Sequence, residues 1–422
     1  MTDTQASRTP RLLVVGAGYV AVAMSFLNVA SYLFTALAAR SVVPSVFGEV
    51  TALMGILLVG SVAALGLQTT TARRLAVSRD AAERAQLVIA ARRSGLQIGL
   101  GASLMLLALS PVLVPVLALE AWAPGALVAL TLLPLCLFGA EAGVAQGSGS
   151  WGHLAGLYVA SGLGRLVFGT AGALLLPTAT GVLLGVLVGA CLPVLLGWSL
   201  LRASAARRPA RRVATSGPAA ERAIGAEVLR ETMHGAHALL AFFAVTNADA
   251  VLARIVLSEH DSGLYGAGLI VAKATLFLPQ FVAVVAFPAL ARSESPATRR
   301  IATLTVAGLG AAAALGTWLL PQLALVFAGG ERYADVQGLL PLFAVEGAVF
   351  ALVNLLVYDA LAAESRGVIV LLWLILAAVV TFALLAVDTR TGLVLTMIVA
   401  GVCASTGRLV SRRGAGASAP AQ

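Results

Sequence analysis

The sequence predicts an all-α polytopic membrane protein with about twelve transmembrane helices in two pseudo-symmetric six-helix lobes. Three observations carry that expectation. Hydrophobic residues make up 59% of the chain, charged residues only 11%, and the mean hydropathy is +0.96, whereas a soluble domain carries about 25% charged residues. Apolar runs long enough to cross a bilayer core, about 20 residues each, recur along the whole chain. A short polar element also appears twice, roughly half a chain apart.

The apolar runs cover 12–38, 50–68, 94–117, 124–145, 152–176, 179–201, 234–257, 263–291, 301–327, 338–362, 367–387 and 391–410. The last two are separated by Asp388, Thr389 and Arg390. Helices are the expected spanning form, because backbone facing lipid must satisfy its own hydrogen bonds. Barrel strands would alternate polar and apolar residues, and these runs do not. The longest polar break, 202–232, divides the runs six and six, giving lobes over 1–201 and 233–413. That break reads as a cytoplasmic linker rich in Arg and Ala, with a short surface helix around Ala219–Thr232. The tail over 414–422 is small and polar and reads as disordered.

Charge gives the orientation. Most of the 28 basic residues lie in the N-terminus, the even-numbered loops or the C-terminus, including Arg73, Arg74, Arg79, Arg84, Arg92 and Arg93 in one loop. The odd-numbered loops hold only Arg40, Arg254, Arg332 and Arg390. Basic residues favour cytoplasmic loops, so both termini are expected inside, as an even number of spans requires. The net charge of +9 is then topological information and contact with anionic lipid, not a nucleic-acid surface. The first run is too long for a cleaved signal peptide, although Ala36-Leu37-Ala38 resembles a cleavage site.

The repeated element is Ala39-Arg40-Ser41-Val42-Val43 with Gly48, and Ala253-Arg254-Ile255-Val256-Leu257 with Gly263-Leu264-Tyr265. Each copy sets an arginine at the end of one helix and a glycine turn before the next. Related halves about a shared midplane point to a secondary transporter. Arg40 and Arg254 are then expected to face each other across the mouth of a two-lobed cavity; the alternative is that both anchor helix ends at the interface.

Enzyme chemistry finds little support. Cys136, Cys191 and Cys403 lie inside apolar runs without pairing or metal-ligand spacing. His153, His234, His237 and His260 lie at run ends or in loops; His234 and His237 share a helical face but lack a third ligand. No GxxxxGK[ST] loop is present, so the chain itself is not expected to use ATP, and no cofactor or metal site is expected. No loop is large enough for a catalytic ectodomain. Gly95-xxx-Gly99 and Gly181-xxx-Gly185-xxx-Gly189 allow close helix approach.

Several stretches resemble polysaccharide exporters and lipid-linked oligosaccharide flippases. Ala38-Ala39-Arg40-Ser41-Val42-Val43-Pro44-Ser45-Val46-Phe47-Gly48-Glu49-Val50 is similar to the family's first-loop signature, in which an Ala-Arg pair precedes a Pro and a Phe-Gly-aromatic group. Val50 stands where an aromatic is usual. Gly66-Leu67-Gln68 with Arg73-Arg74-Leu75-Ala76 resembles the end of the second helix. Asn247-Ala248-Asp249 through Gly263-Leu264-Tyr265 resembles the start of the second half, and Phe277-Leu278-Pro279 to Pro288-Ala289-Leu290-Ala291-Arg292 the eighth helix. The family belongs to the superfamily of multidrug, oligosaccharidyl-lipid and polysaccharide (MOP) exporters. Lysine, common in such transporters, appears once; abundant Ala, Gly and Arg suggest a GC-rich genome as the reason.

The resemblance implies alternating access in a bacterial cytoplasmic membrane, with a polyprenyl-(pyro)phosphate-linked glycan as substrate and glycan-assembly proteins as partners. Ionisable groups at bilayer depth are costly and default to functional candidates. Arg165 and Lys273, with Arg40 and Arg254, are the candidate cavity cations for the anionic headgroup, since arginine's planar fork suits phosphate oxygens. Asp249, Glu141 and Glu346 are candidates for ion coupling or for ion pairs. Asp249 and Lys273 fall at similar depth on an antiparallel hairpin, and Glu141 lies on the helix neighbouring Arg165. A multidrug or cation antiporter of the same superfamily would instead want acidic cavity residues. A flippase-like scaffold in cell-wall assembly is free to lose Arg165 and Lys273.

Overall fold

The structure, a computed structural model, describes residues 8–78, 80–206, 218–290, 296–362 and 366–417. Part of the expected linker (207–217) and the end of the tail (418–422) lie outside the described residues, as does part of the stretch Pro288–Arg292. Every regular element among the described residues is helical. In chain order they are α1 (Arg8–Ser41), α2 (Pro44–Gly60), α3 (Val62–Val77), α4 (Ala81–Val116), α5 (Ala123–Gly147) and α6 (Trp151–Gly164). A π-helical turn (Arg165–Gly169) then leads into α7 (Thr170–Leu175) and α8 (Ala179–Ala206). The second half holds α9 (Pro218–Val256), α10 (Glu259–Leu290), α11 (Pro296–Leu319), α12 (Pro321–Phe327), a 3₁₀ stretch (Glu331–Leu339), α13 (Leu340–Ala362), α14 (Arg366–Ala386) and α15 (Arg390–Ala417).

Nine stretches among the described residues are long and apolar enough to cross a membrane, ten if a bent pair counts as one span. α10 and the shorter apolar α15 run over the two remaining sequence segments. Large apolar side chains face outward, with Leu175 85% and Leu385 81% exposed, as suits a chain whose surroundings are hydrocarbon. The chain is an all-α polytopic membrane protein.

Three boundaries differ from the sequence expectation. The segment 301–327 is not one helix: α11 and α12 meet at 105° around Leu320, because Pro321 has no N–H to continue the ladder and a fixed φ. The helix expected over Ala219–Thr232 is not separate, since α9 runs unbroken for 39 residues from Pro218. Proline is favoured at a helix start, and the single glycines Gly225 and Gly235 do not interrupt the helix. The tail's first residues, 414–417, continue α15; no proline intervenes before Pro420.

The described residues form two compact units. Unit 1 holds residues 1–34, 60–115 and 120–236, and unit 2 holds 35–59, 116–119 and 237–422. Unit 2 therefore includes the end of α1 and all but the last residue of α2. In unit 1, α3 packs on α5, and α5 and α6 pack on α8. In unit 2, α13 packs against α10, α11 and α15.

Candidate functional site

The repeated element comes together inside unit 2. Gly48 and Gly263 lie not in turns but near the starts of α2 and α10. A Cβ added at Gly263 would collide with the Pro44 carbonyl, and one added at Gly48 with the Ser262 hydroxyl, so the two helix starts pack closely because both carry glycine. Around them the 3₁₀ stretch caps the end of α1. The Tyr333 hydroxyl donates to the Ala39 carbonyl at 2.8 Å and Arg332 Nη1 to the Val42 carbonyl at 2.9 Å. Exposed Arg40 donates through Nη2 to the Val326 carbonyl at the end of α12.

Arg254 is 4% exposed. Its Nε donates to the Leu117 carbonyl at 2.8 Å and its Nη2 to the Ala118 carbonyl at 2.7 Å. Glu259 lies 3.6 Å away. Ala118 sits at φ 44°, a left-handed conformation costly for a residue with a Cβ, and the guanidinium fork holds the carbonyls on either side of it. Arg254 thus ties a turn in place instead of meeting Arg40 across an opening. Arg254→Lys keeps the charge but loses the fork; the expected cost is about 2–3 kcal/mol for a charged hydrogen bond lost in a buried site. A lower thermal midpoint of the detergent-solubilised protein checks it.

Arg165 opens the π-helical turn in unit 1. Such a turn holds one residue more than the α ladder and marks a local distortion. The helix beside it approaches very closely. A Cβ at Gly164 would strike the Gly189 carbonyl, and one at Gly185 the Phe168 carbonyl, so the Gly181, Gly185, Gly189 row seats α8 against the turn. Arg165 lines a small pocket with Thr131 and Leu135 of α5, Ser161 of α6, and Val186, Ala190 and Pro193 of α8. Its Nη1 meets the Ser31 hydroxyl at 3.4 Å. Among the described residues no carboxylate pairs with it. Glu141, the expected neighbour, is instead bound by Arg92, with Nε to Oε1 at 2.7 Å and Nη2 to Oε2 at 3.2 Å. Arg165 is therefore a cation at membrane depth whose recorded partner is one neutral hydroxyl, and Glu141 is a neutralised carboxylate.

The acidic candidates gather in unit 2. Asp249 on α9 and Glu346 on α13 are 1% and 2% exposed. They line a pocket with Thr246, Leu269, Ala272, Lys273, Leu276, Gly347 and Phe350. Glu346 Oε2 and the fully buried Tyr265 hydroxyl have no hydrogen-bond partner among the described residues.

The expected Asp249–Lys273 ion pair is absent among the described residues. Lys273 Nζ donates to the Thr246 carbonyl and, at 3.0 Å, to Asn247 Oδ1. The Ala250 N–H, whose usual helical acceptor is that Thr246 carbonyl, donates to Asp249 Oδ1 at 2.8 Å. The hairpin is thus closed by a lysine on backbone. Thr246, Asn247 and Tyr265 were not legible as site residues, because only the fold shows that their polar atoms converge on Lys273 and the acids.

A further charged cluster lies in unit 1. Arg74 at the end of α3 forks onto Glu231 of α9, with Nε to Oε2 at 3.0 Å and Nη2 to Oε1 at 2.8 Å, and Nη1 reaches Glu227 at 3.2 Å. Arg73 Nη2 adds a 2.7 Å bond to Glu231. The Arg74 hydrogen bond, aided by Arg73, holds the Glu231 carboxyl below the usual carboxylate range. This contribution to stability is present above the ordinary pKa and fades as pH falls through the lowered one.

No family model matches the sequence, and no curated protein matches it. Solved structures do match in fold. An inward-facing multidrug resistance MATE family transporter of the MOP superfamily superposes with a TM-score of 0.73 at 13% identity, covering 94% of this chain and 98% of that one. An outward-facing MATE family transporter gives 0.61 at 13% identity, over 96% and 99%. The lipid II flippase MurJ, in an inward closed conformation, gives 0.62 at 11% identity, over 93% and 87%. The chain shares the fold of these MATE and MurJ structures. At such identities the likeness fixes the architecture and leaves the cargo open, since the MATE and MurJ structures share it.

Proposed function

We propose that this protein is a membrane transporter that moves a polyprenyl-(pyro)phosphate-linked glycan, or another cell-envelope polysaccharide precursor, across a bacterial cytoplasmic membrane by alternating access. Both termini lie on the cytoplasmic side, and glycan-assembly proteins are its partners. The observation that carries this reading is Arg165, a pocket-lining cation whose recorded contact is one hydroxyl. A desolvated cation without a counter-ion is costly, and a pyrophosphate supplies the missing charge in the bidentate geometry that guanidinium favours. The polyprenyl tail stays in lipid while the headgroup exchanges water for protein. Asp249 and Glu346 serve as the coupling site, taking up and releasing a cation, while Arg40 and Arg254 fix helix ends and Lys273 fixes the hairpin.

The carboxyl pair also favours a second reading, a cation or multidrug antiporter of the same superfamily. Equilibrium binding to the protein in nanodiscs separates the two. The glycan reading expects polyprenyl pyrophosphate to bind, and Arg165→Ala to weaken it about 100-fold, the equivalent of about 3 kcal/mol for a charged hydrogen bond. Binding of a lipophilic cation that requires Asp249 and ignores Arg165 would support the antiporter instead.

A further inference from the structure

The cluster formed by Arg73, Arg74, Glu227 and Glu231 is built like an anion site that its own chain occupies. The start of α9 is packed into unit 1: Val228 is 1% exposed and joins Ala64, Leu67, Ile98, Cys136 and Ala140 in one apolar cluster, and Thr232 is fully buried. Glu227 and Glu231 stand one helical turn apart on the same segment, aimed at the last turn of α3. Glu231 enters the Arg74 fork with both oxygens, the arrangement in which guanidinium also takes two phosphate oxygens.

The rim of this site is open. The Arg74 side chain is 17% exposed, but Arg73 is 68% and Glu227 51% exposed. The pairs made by Arg73 and by Glu227 are exposed enough to be weak, comparable to the attraction of one arginine to an anionic membrane surface. The Arg74–Glu231 fork, with side chains 17% and 30% exposed, is the firmer contact. A phosphate arriving from the leaflet can therefore compete with the outer pairs on nearly equal terms. The position, at the end of a spanning segment and leading into an arginine-rich loop, is where headgroups lie.

We propose that Arg73 and Arg74 form an exchangeable seat for a phosphate-bearing lipid headgroup, held by Glu227 and Glu231 until the headgroup displaces them and frees the start of α9. α9 continues without a break to Val256 and carries Asp249, so seating a lipid acts directly on the helix that bears the coupling carboxyl. The inference rests on the cytoplasmic orientation of this loop and not on the identity of the cargo.

Removing the internal competitor decides it. Phosphatidylglycerol retention by the full-length protein is measured by native mass spectrometry for wild type, Glu231→Gln, the double variant Glu227→Gln with Glu231→Gln, and Arg73→Ala with Arg74→Ala. The double glutamine variant is expected to bind the lipid about tenfold more tightly and the arginine variant to lose it. Unchanged or weaker binding by both glutamine variants overturns the proposal, since a purely structural ion pair gives no gain on losing its acid. As a check free of mutation, hydrogen exchange of residues 227–236 in wild-type nanodiscs should rise several-fold when phosphatidylglycerol replaces neutral lipid. Equal exchange in the two bilayers, or a rise with soluble pyrophosphate alone, counts against a lipid seat. Arg165→Ala should leave phosphatidylglycerol binding at this seat intact, so failure here and failure of the cargo reading are told apart.

Discussion

On the proposed glycan reading, Arg165→Ala is expected to cut export of the lipid-linked precursor steeply while the protein still folds and reaches the membrane. The residue lines a pocket without a carboxylate partner among the described residues, so its removal takes away an unneutralised charge and breaks no ion pair. Stability should hold, since the half-buried guanidinium has no carboxylate partner among the described residues and loses one hydroxyl contact. Transport should fall by about 100-fold, the equivalent of about 3 kcal/mol for charged hydrogen bonds to the cargo. Arg165→Lys restores charge without the planar fork, and an intermediate rate is expected. A complementation assay in a strain that depends on this protein, with its membrane level followed by immunoblot, checks both halves. Unchanged glycan export by the alanine variant removes Arg165 from the mechanism.

With Asp249 and Glu346 as the proposed coupling site, Glu346→Gln is expected to uncouple transport from a proton gradient. Asp249 and Glu346 are buried and line one pocket with Lys273, where gain or loss of a proton by a carboxyl changes the local charge. Glutamine keeps the shape but cannot release a proton. Uptake or flipping driven by an imposed pH gradient should fall about 10- to 100-fold, the ordinary span of coupling between two sites. Binding of the pyrophosphate lipid should be unaffected, because the Arg165 pocket is built from residues of unit 1. The charge swap Asp249→Lys with Lys273→Asp should not rescue the single variants, since Lys273 bonds the Thr246 carbonyl and Asn247 in place of Asp249. Rescue by the swap would restore the ion pair that the sequence suggests.

The architecture was legible because a bilayer imposes period and length on the sequence directly. Apolar runs and loop arginines report it without any knowledge of contacts. The repeated Arg-Gly element was also legible, and Gly48 and Gly263 do end in mutual backbone contact. Partnership between residues distant in the chain could not be read. Arg254 finds its acceptors at Leu117 and Ala118, and Glu141 is claimed by Arg92, 49 residues away. Neither separation has a sequence signature. Helical rise sets Asp249 and Lys273 at one depth but carries no information on side-chain direction. A lysine stem long enough to reach a carbonyl one turn away took the backbone instead. The 105° break at Leu320 had a visible cue in Pro321, although a proline in a membrane helix often bends it only slightly.

One reconstitution tests the central assignment most directly. Purified protein is placed in liposomes containing a polyprenyl pyrophosphate whose sugar headgroup carries a fluorophore, and a membrane-impermeant quencher reports how much headgroup faces outward. Wild type is expected to change the outward fraction with time, and Arg165→Ala to leave it as in protein-free vesicles. A wild-type trace that matches protein-free vesicles, with the same preparation expelling a lipophilic cation against a pH gradient, would contradict the glycan assignment and establish the antiporter.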